Sequence, residues 1–332
     1  MRGLTTFFGA IAAASIAMAT AASAQDARHY RFAHDQQLNS GYSVAYDIFS
    51  AKLKELSKGT MLVDQYPGAQ LGQEPQILQL VKSGDIEFAV VSSANTSTIS
   101  PQAGVMSLHF LFRNEDHITK SLGDEKVFAA ISDMIDDTAP GIHAIGLATQ
   151  GFRYIYGKKE VHKVDDIRGY KVRVQATATE DTMFPAYGAQ TVHMPFGSVY
   201  TSLQTGVVDF AENGMNVYLI NRHYEVAPVL SKTEHEANNA IVWVSDKLWQ
   251  GLSAEQKQWV TAAAREVSVQ EPRRGFELEH AAAAKLEKMG VKIVIDVDKP
   301  GFQAIADPYL DKLAHDLGPH AEKIKNLIRT IN

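Results

Sequence analysis

Two arginines in the middle of strand-like runs pose the chemical question of this chain. Arg153 interrupts the run 152–156 (FRYIY) and Arg173 the run 170–174 (YKVRV). A guanidinium set among apolar and aromatic residues must be paired wherever it is buried. Its fixed fork of donors matches a carboxylate through two parallel hydrogen bonds, a geometry that lysine cannot reproduce. For Arg173 the partner is either an internal acid, such as Asp181 or Glu212, or an anion brought by a ligand. For Arg153 the alternative to an anion is a surface position against the faces of Tyr154 and Tyr156. Two neighbours extend the pattern. Asn213, in the triplet AEN, either gives an amide hydrogen to an anion or closes a turn. Phe196, in MPFGSVY, either walls a pocket or belongs to the core.

Other chemistries find no motif. His193, His223 and His235 lie in no metal-ligand spacing, so structural histidines are expected and no metal. The sequence has no GxSxG, no Walker loop and no GxGxxG. Nothing therefore nominates a nucleophile or a phosphate-bearing cofactor, and neither a cofactor nor an enzymatic activity is expected.

The N-terminal residues point to export. MRGLTTFFGAIAAASIAMATAASA carries one positive charge at Arg2, an apolar middle over 7–18 and a small-residue end at Ala22-Ser23-Ala24. This is the pattern of a secretory signal over 1–24, with cleavage before Gln25. Its apolar core is shorter than the ~20 residues of a membrane-spanning helix. Removal of Arg2 with the signal takes the formal charge from -6 to -7. A mildly acidic chain is a poor partner for nucleic acid or an anionic membrane. With no cysteine among 332 residues, disulfides, thiolate metal sites and a lipid-anchored N-terminal cysteine are excluded. A free periplasmic monomer, stable through core burial alone, is expected.

Elements that would position the arginines come next. HYRFA and MLVDQY read as strands around a helix over 42–57, and Glu74-Pro75 opens a second helix that ends near Gly84. IEFAVV is an apolar run of strand length. This order implies a parallel α/β lobe with a polar loop over 34–40 after its first strand and another, 92–100, at the end of IEFAVV, where such folds bind ligands. Helices over 114–137 and a strand GIHAIGLATQ complete it. A second alternation begins at Gly151 with FRYIY, YKVRV and QTVHM as strands. A capping box at Ser253 and Gln256 opens a helix over 254–289, about 50 Å long, which Pro272 and Gly275 should kink. The organisation expected is α/β in two lobes, the first from 25–150 with about 239–278, the second from 151–238 with about 279–332. Repeated crossings between them suit a hinge.

The motifs PGAQLG, GDIEFAVV, GFR, DIRGYKVRV, MPFGSVYTSLQTGVVDFAEN and TEHE together resemble the solute-binding proteins of TRAP transporters, the DctP type. The resemblance covers nearly all of the chain after residue 24. It implies a two-lobe periplasmic binding protein of the type II-like class, with crossing strands and a long helix, closing on an organic acid and delivering it to a membrane permease. By the resemblance Arg173 forms the main salt bridge to the ligand carboxylate and Arg153 assists. Asn213 adds an amide, Phe196 shapes the pocket, and Glu74 stands where the family often meets ligand hydroxyls. Tyr218 and His235 are further candidates of that kind. Gln175, Phe210 and Gly214 depart from the usual proline, glycine and proline, which leaves the carboxylate anchor in place and the rest of the ligand open. The rival classes are an exported enzyme acting on organic acids and the binding protein of an ATP-driven importer.

Overall fold

The structure, a computed structural model, describes residues 27–332; the expected signal, 1–24, lies outside them. No helix among the described residues is long and apolar enough to cross a membrane.

Strand β1 (Arg28–Ala33) runs parallel to both β2 (Met61–Tyr66) and β3 (Phe88–Ser92). β3 reads FAVVS and is buried at all its residues, as an unbroken apolar run must be when covered on both faces. The crossovers are α1 (Gly41–Leu56), capped by Ser40, and α2 (Glu74–Ser83), which opens with Pro75 in its first turn and ends on the left-handed Gly84. α3 (Ser93–Thr96), α4 (Glu115–Gly123) and α5 (Glu125–Thr138) follow.

Next comes β4 (Ile142–Gly157), one strand of 16 residues. GIHAIGLATQ and FRYIY, expected as two strands, are thus continuous. Gly151, at φ 79°, lets the chain bend without leaving the sheet, and the ladder shifts register between Thr149 and Phe152. β5 (Lys171–Val174), α6 (Ala178–Ala186), β6 (Gln190–His193), α7 (Val199–Thr205), β7 (Phe210–Asn213) and α8 (Met215–Ile220) form the second alternation. β8 (Val229–Ser245) is longer still, at 17 residues, although only IVWV within it reads as a strand. Its polar half escapes the apolar pattern because polar residues are buried there, Glu236 beside Arg153 and Asn238 bonded to Asn213.

The sheet order is β2-β1-β3-β8-β4-β7-β5-β6. The last half of β8 pairs antiparallel with β3, and Tyr154–Gly157 of β4 pair with β7. β4 and β8 therefore carry the chain through both lobes, as crossing strands. α9 (Asp246–Gly251) leads to α10 (Ala254–Lys288), which starts from the capping box of Ser253 and Gln256 and runs 35 residues with Pro272 inside. α10 lies along β4 and touches α1, α4 and α8, so it too spans the lobes. Then β9 (Lys292–Val294) joins the first residues of β8, and α11 (Lys299–Leu317) and α12 (Pro319–Thr330) end the chain. α12 packs on α5, and its Ile328 O accepts a hydrogen bond of 3.0 Å from Nε2 of His117 on α4. The amphipathic helix needs an apolar face to cover, and α5 offers Ile131 and Ile135.

Two glutamates on one face of α10, two turns apart, fasten it to β4 and to the start of α8. Glu271 accepts from Thr149 N at 2.8 Å, and Glu279 accepts from Met215 N and Asn216 N at 2.8 and 2.7 Å. A Cβ at Gly214 would stand 2.5 Å from Gln150 O, so this junction closes only over a glycine.

Candidate functional site

Arg153 and Arg173 are both buried, at 1% and 2% exposure, on strands of the second lobe. Their environments are opposite. The β4–β8 register sets Arg153 beside Glu236, and the next strand, β7, brings Glu212 alongside. Glu212 takes the fork, Nε to one carboxylate oxygen and Nη2 to the other, and Nη2 also reaches Glu212 O at 3.0 Å. Glu236 stands 3.6 Å from Nε. Burial works against the charge, but Glu212 and Glu236 outweigh it and raise the pKa of Arg153.

Arg173 has no such partner. Its Nε and Nη2 both donate to Met194 O, at 3.1 and 2.9 Å, and the Phe196 ring centroid lies 6.0 Å from Cζ. Among the described residues no carboxylate comes within salt-bridge distance of it. Both internal candidates are otherwise engaged, Glu212 by Arg153 and Asp181 by His193 at 2.8 Å. Burial depresses the pKa of Arg173. A buried guanidinium whose acceptor is one carbonyl keeps donors to spare for an anion.

Arg173, Arg153, Asn213, Phe196 and Glu74 line one cavity between the lobes. Asn213 Oδ1 accepts from Gly214 N and Asn238 Nδ2, at 2.9 and 2.8 Å, which orients its amide NH2 as the donor left over. Glu74 enters from the first lobe with both oxygens bound by protein donors. Tyr42 OH and Ser92 N reach one at 3.0 and 2.9 Å; Ser92 Oγ and Asn95 Nδ2 reach the other, each at 2.5 Å. It holds the first-lobe wall in shape instead of offering a free acceptor.

Tyr218 and His235 do not join this cavity. Tyr218 OH donates to Ala227 O at 2.6 Å, and the ring packs on Tyr156 in the second-lobe core. His235 lies behind the arginines, where Nδ1 meets Thr233 Oγ1 at 2.7 Å and its ring centroid is 4.9 Å from that of His109. Ligand atoms of His109, His235 and Glu236 fall within 4.8 Å of one another, the one place among the described residues where a cation could be held. The fit is poor, because the Arg153 guanidinium already stands against Glu236. Glu180, pushed up to about 8 by burial and by Glu212, closes the same cluster.

Sequence reasoning missed other lining residues: Asp35, Gln36, Gln150, Gln175 and Asn238. Asp35 and Gln36 belong to the loop after β1, whose position at a strand end was the available signal. Gln175, noted only as a departure from proline, bonds Ser92 Oγ across the cleft at 2.8 Å. Gly197 N donates to Gln73 Oε1 at 3.0 Å as a second link between the lobes. The cleft is nearly shut at this point, with about 10 Å³ open to the centre of a water molecule, room for about one water. An adjoining cavity of about 190 Å³ shares Asp35, Glu74, Asn95 and Phe196 with it.

Two lobes joined by crossing strands and closed over a buried, carboxylate-free guanidinium define a solute-binding protein. The chain belongs to the bacterial extracellular solute-binding proteins, family 7, the DctP family of TRAP transporters, whose model matches residues 32–316. A solute-binding protein of Chromohalobacter salexigens is 30% identical over 305 residues, 91% of this chain and 88% of its own. Among solved structures, the TRAP periplasmic solute-binding protein of Xanthobacter autotrophicus with bound β-D-galacturonate is 28% identical with a TM-score of 0.83, covering 91% of this chain and 100% of its own. The sugar acid binding protein of Advenella mimigardefordensis in complex with galactonate is 25% identical with a TM-score of 0.85, covering 92% and 99%.

Proposed function

We propose that this protein works in the periplasm, after removal of residues 1–24, where it captures a hydroxylated monocarboxylic acid of the sugar-acid class between its lobes and delivers it, as a monomer and without transforming it, to a TRAP membrane permease. The observation that carries the reading is Arg173, a buried guanidinium bound, among the described residues, only to Met194 O in a cavity between two lobes. Arg173 anchors the carboxylate and the Asn213 amide adds a donor. Phe196 forms the wall, Arg153 contributes its charge while staying bound to Glu212, and Glu74 shapes the opposite face. The acids held by the relatives from Xanthobacter and Advenella support the class.

Magnitudes explain why two lobes take part. One hydrogen bond to a charged group contributes about 1.5 to 3 kcal/mol, whereas micromolar to nanomolar binding needs about 8 to 12 kcal/mol. The remainder must come from excluding water and from contacts across the cleft. Because the closed cleft has so little room, the lobes must part to admit the acid, and binding then shifts the equilibrium toward lobes closed around it.

A thermal-shift screen over organic acids tests this. Galacturonate, glucuronate or galactonate at about a hundred times its dissociation constant should add about 2.7 kcal/mol of stability. No shift with any carboxylate would overturn the reading.

A further inference from the structure

The cavity is electrically polarised. Its cations, Arg153 and Arg173, both stand on the second-lobe wall, and Arg153 is bound by Glu212. The first-lobe wall carries two carboxylates, Asp35 and Glu74, and no cation. Glu74 is saturated by the four protein donors from Tyr42, Ser92 and Asn95. Asp35 is not. It is buried, its Oδ1 accepts only from Gln36 Nε2 at 3.0 Å, and no cation among the described residues lies within salt-bridge distance of it. It also lines the adjoining cavity, where the only basic side chain, His193, is held by Asp181.

We propose that Asp35 is the first-lobe residue that receives the ligand's hydroxyl donor and that it selects monoanionic sugar acids over their diacids. The inference rests on the reading of Arg173 as the carboxylate anchor. With one carboxylate on Arg173, the far end of the ligand points to Asp35 and Glu74. A hydroxyl there donates to the free oxygen of Asp35. A second carboxylate has no cation to meet and faces two acids in a water-poor cleft, a like-charge juxtaposition that discriminates strongly. Burial first, then the nearby Glu74, raises the pKa of Asp35 well above the ordinary range, while the Gln36 amide and the charge of Arg173 act against the shift.

Calorimetry with D-galacturonate, D-galactonate and galactarate tests the selection, because galactarate is the diacid counterpart of both monoacids. Galactarate should bind at least roughly 100-fold more weakly than the better monoacid. Asp35→Asn should weaken the monoacid and narrow that ratio by about tenfold or more. Equal binding of galactarate and a monoacid, with Arg173→Ala abolishing both, would overturn this inference while leaving the carboxylate anchor standing. An unchanged ratio in a folded Asp35→Asn protein would move the selection away from Asp35 and overturn its role. If neither monoacid binds at millimolar concentration, the sugar-acid reading fails and this one with it. The ratio in the unaltered protein needs no variant, so misfolding of Asp35→Asn would not remove the test.

Discussion

Glu212 binds the guanidinium of Arg153 through both carboxylate oxygens, with each partner 1% exposed. This pair removes from the cavity the acid that would otherwise compete for Arg173. The second lobe thus holds one arginine fixed and neutralised and keeps the other available, which makes the two unequal in ways that experiment can separate.

Arg173→Ala should abolish ligand binding, at a cost of about 2 to 5 kcal/mol or more in affinity. Without ligand it should lose little stability, since the residue removed is a buried cation bound to one carbonyl. Calorimetry and thermal unfolding on the same preparation check both halves. Binding equal to that of the unaltered protein would end the assignment.

Arg153→Ala should behave in the opposite order. It leaves Glu212 buried and unpaired next to Glu236 and Glu180, so unfolding stability should fall by about 3 to 5 kcal/mol. Denaturant titration reads this directly. A stability unchanged within 1 kcal/mol, about the size of an ordinary substitution effect, would show that the pair does not hold the lobe together.

How much of this was readable beforehand differs from residue to residue. Arg173 and Arg153 stood out because a charged side chain inside a strand-like run has to be explained, and the DctP resemblance ranked them. Their pairing was not readable. It depends on β4 lying between β7 and β8, so that Glu212 and Glu236 flank Arg153 from two strands. The continuity of β4 was hidden by Gly151, which reads as punctuation but here supplies a left-handed bend inside a strand. β8 was hidden for another reason. Its polar half has no period-two pattern because successive residues on both faces are buried at the crossing. Tyr218 and His235 carried a position in the motif but not a direction, and their side chains turn into the second-lobe core and into the cluster behind the arginines.

Gln175→Ala should loosen the closed form. The side chain crosses the cleft to Ser92 Oγ, and a neutral hydrogen bond contributes about 1 kcal/mol, which is about fivefold in an open–closed equilibrium. Solution scattering without ligand should give a larger radius of gyration than that of the unaltered protein, and saturating ligand should restore it. An identical profile in both proteins would remove Gln175 from the latch.

The fastening of α10 to the start of α8 makes stability depend on pH. Glu279 is buried, and although Asn216 N and Met215 N donate to it, burial pushes its pKa up to about 8, above the ordinary value of 4.5. The native state therefore binds the proton more tightly than the unfolded chain. That contribution is fully present below about pH 4.5, declines as pH rises through the range up to about 8, and is lost above it. Glu279→Gln keeps an acceptor for the α8 amides and cannot ionise. Its melting temperature should fall less steeply between pH 5 and 8 than that of the unaltered protein, within the window that linkage sets. Parallel slopes for the two proteins would mean that Glu279 does not titrate in this window. Glu180, also raised to about 8, would then be the buried acid to replace next.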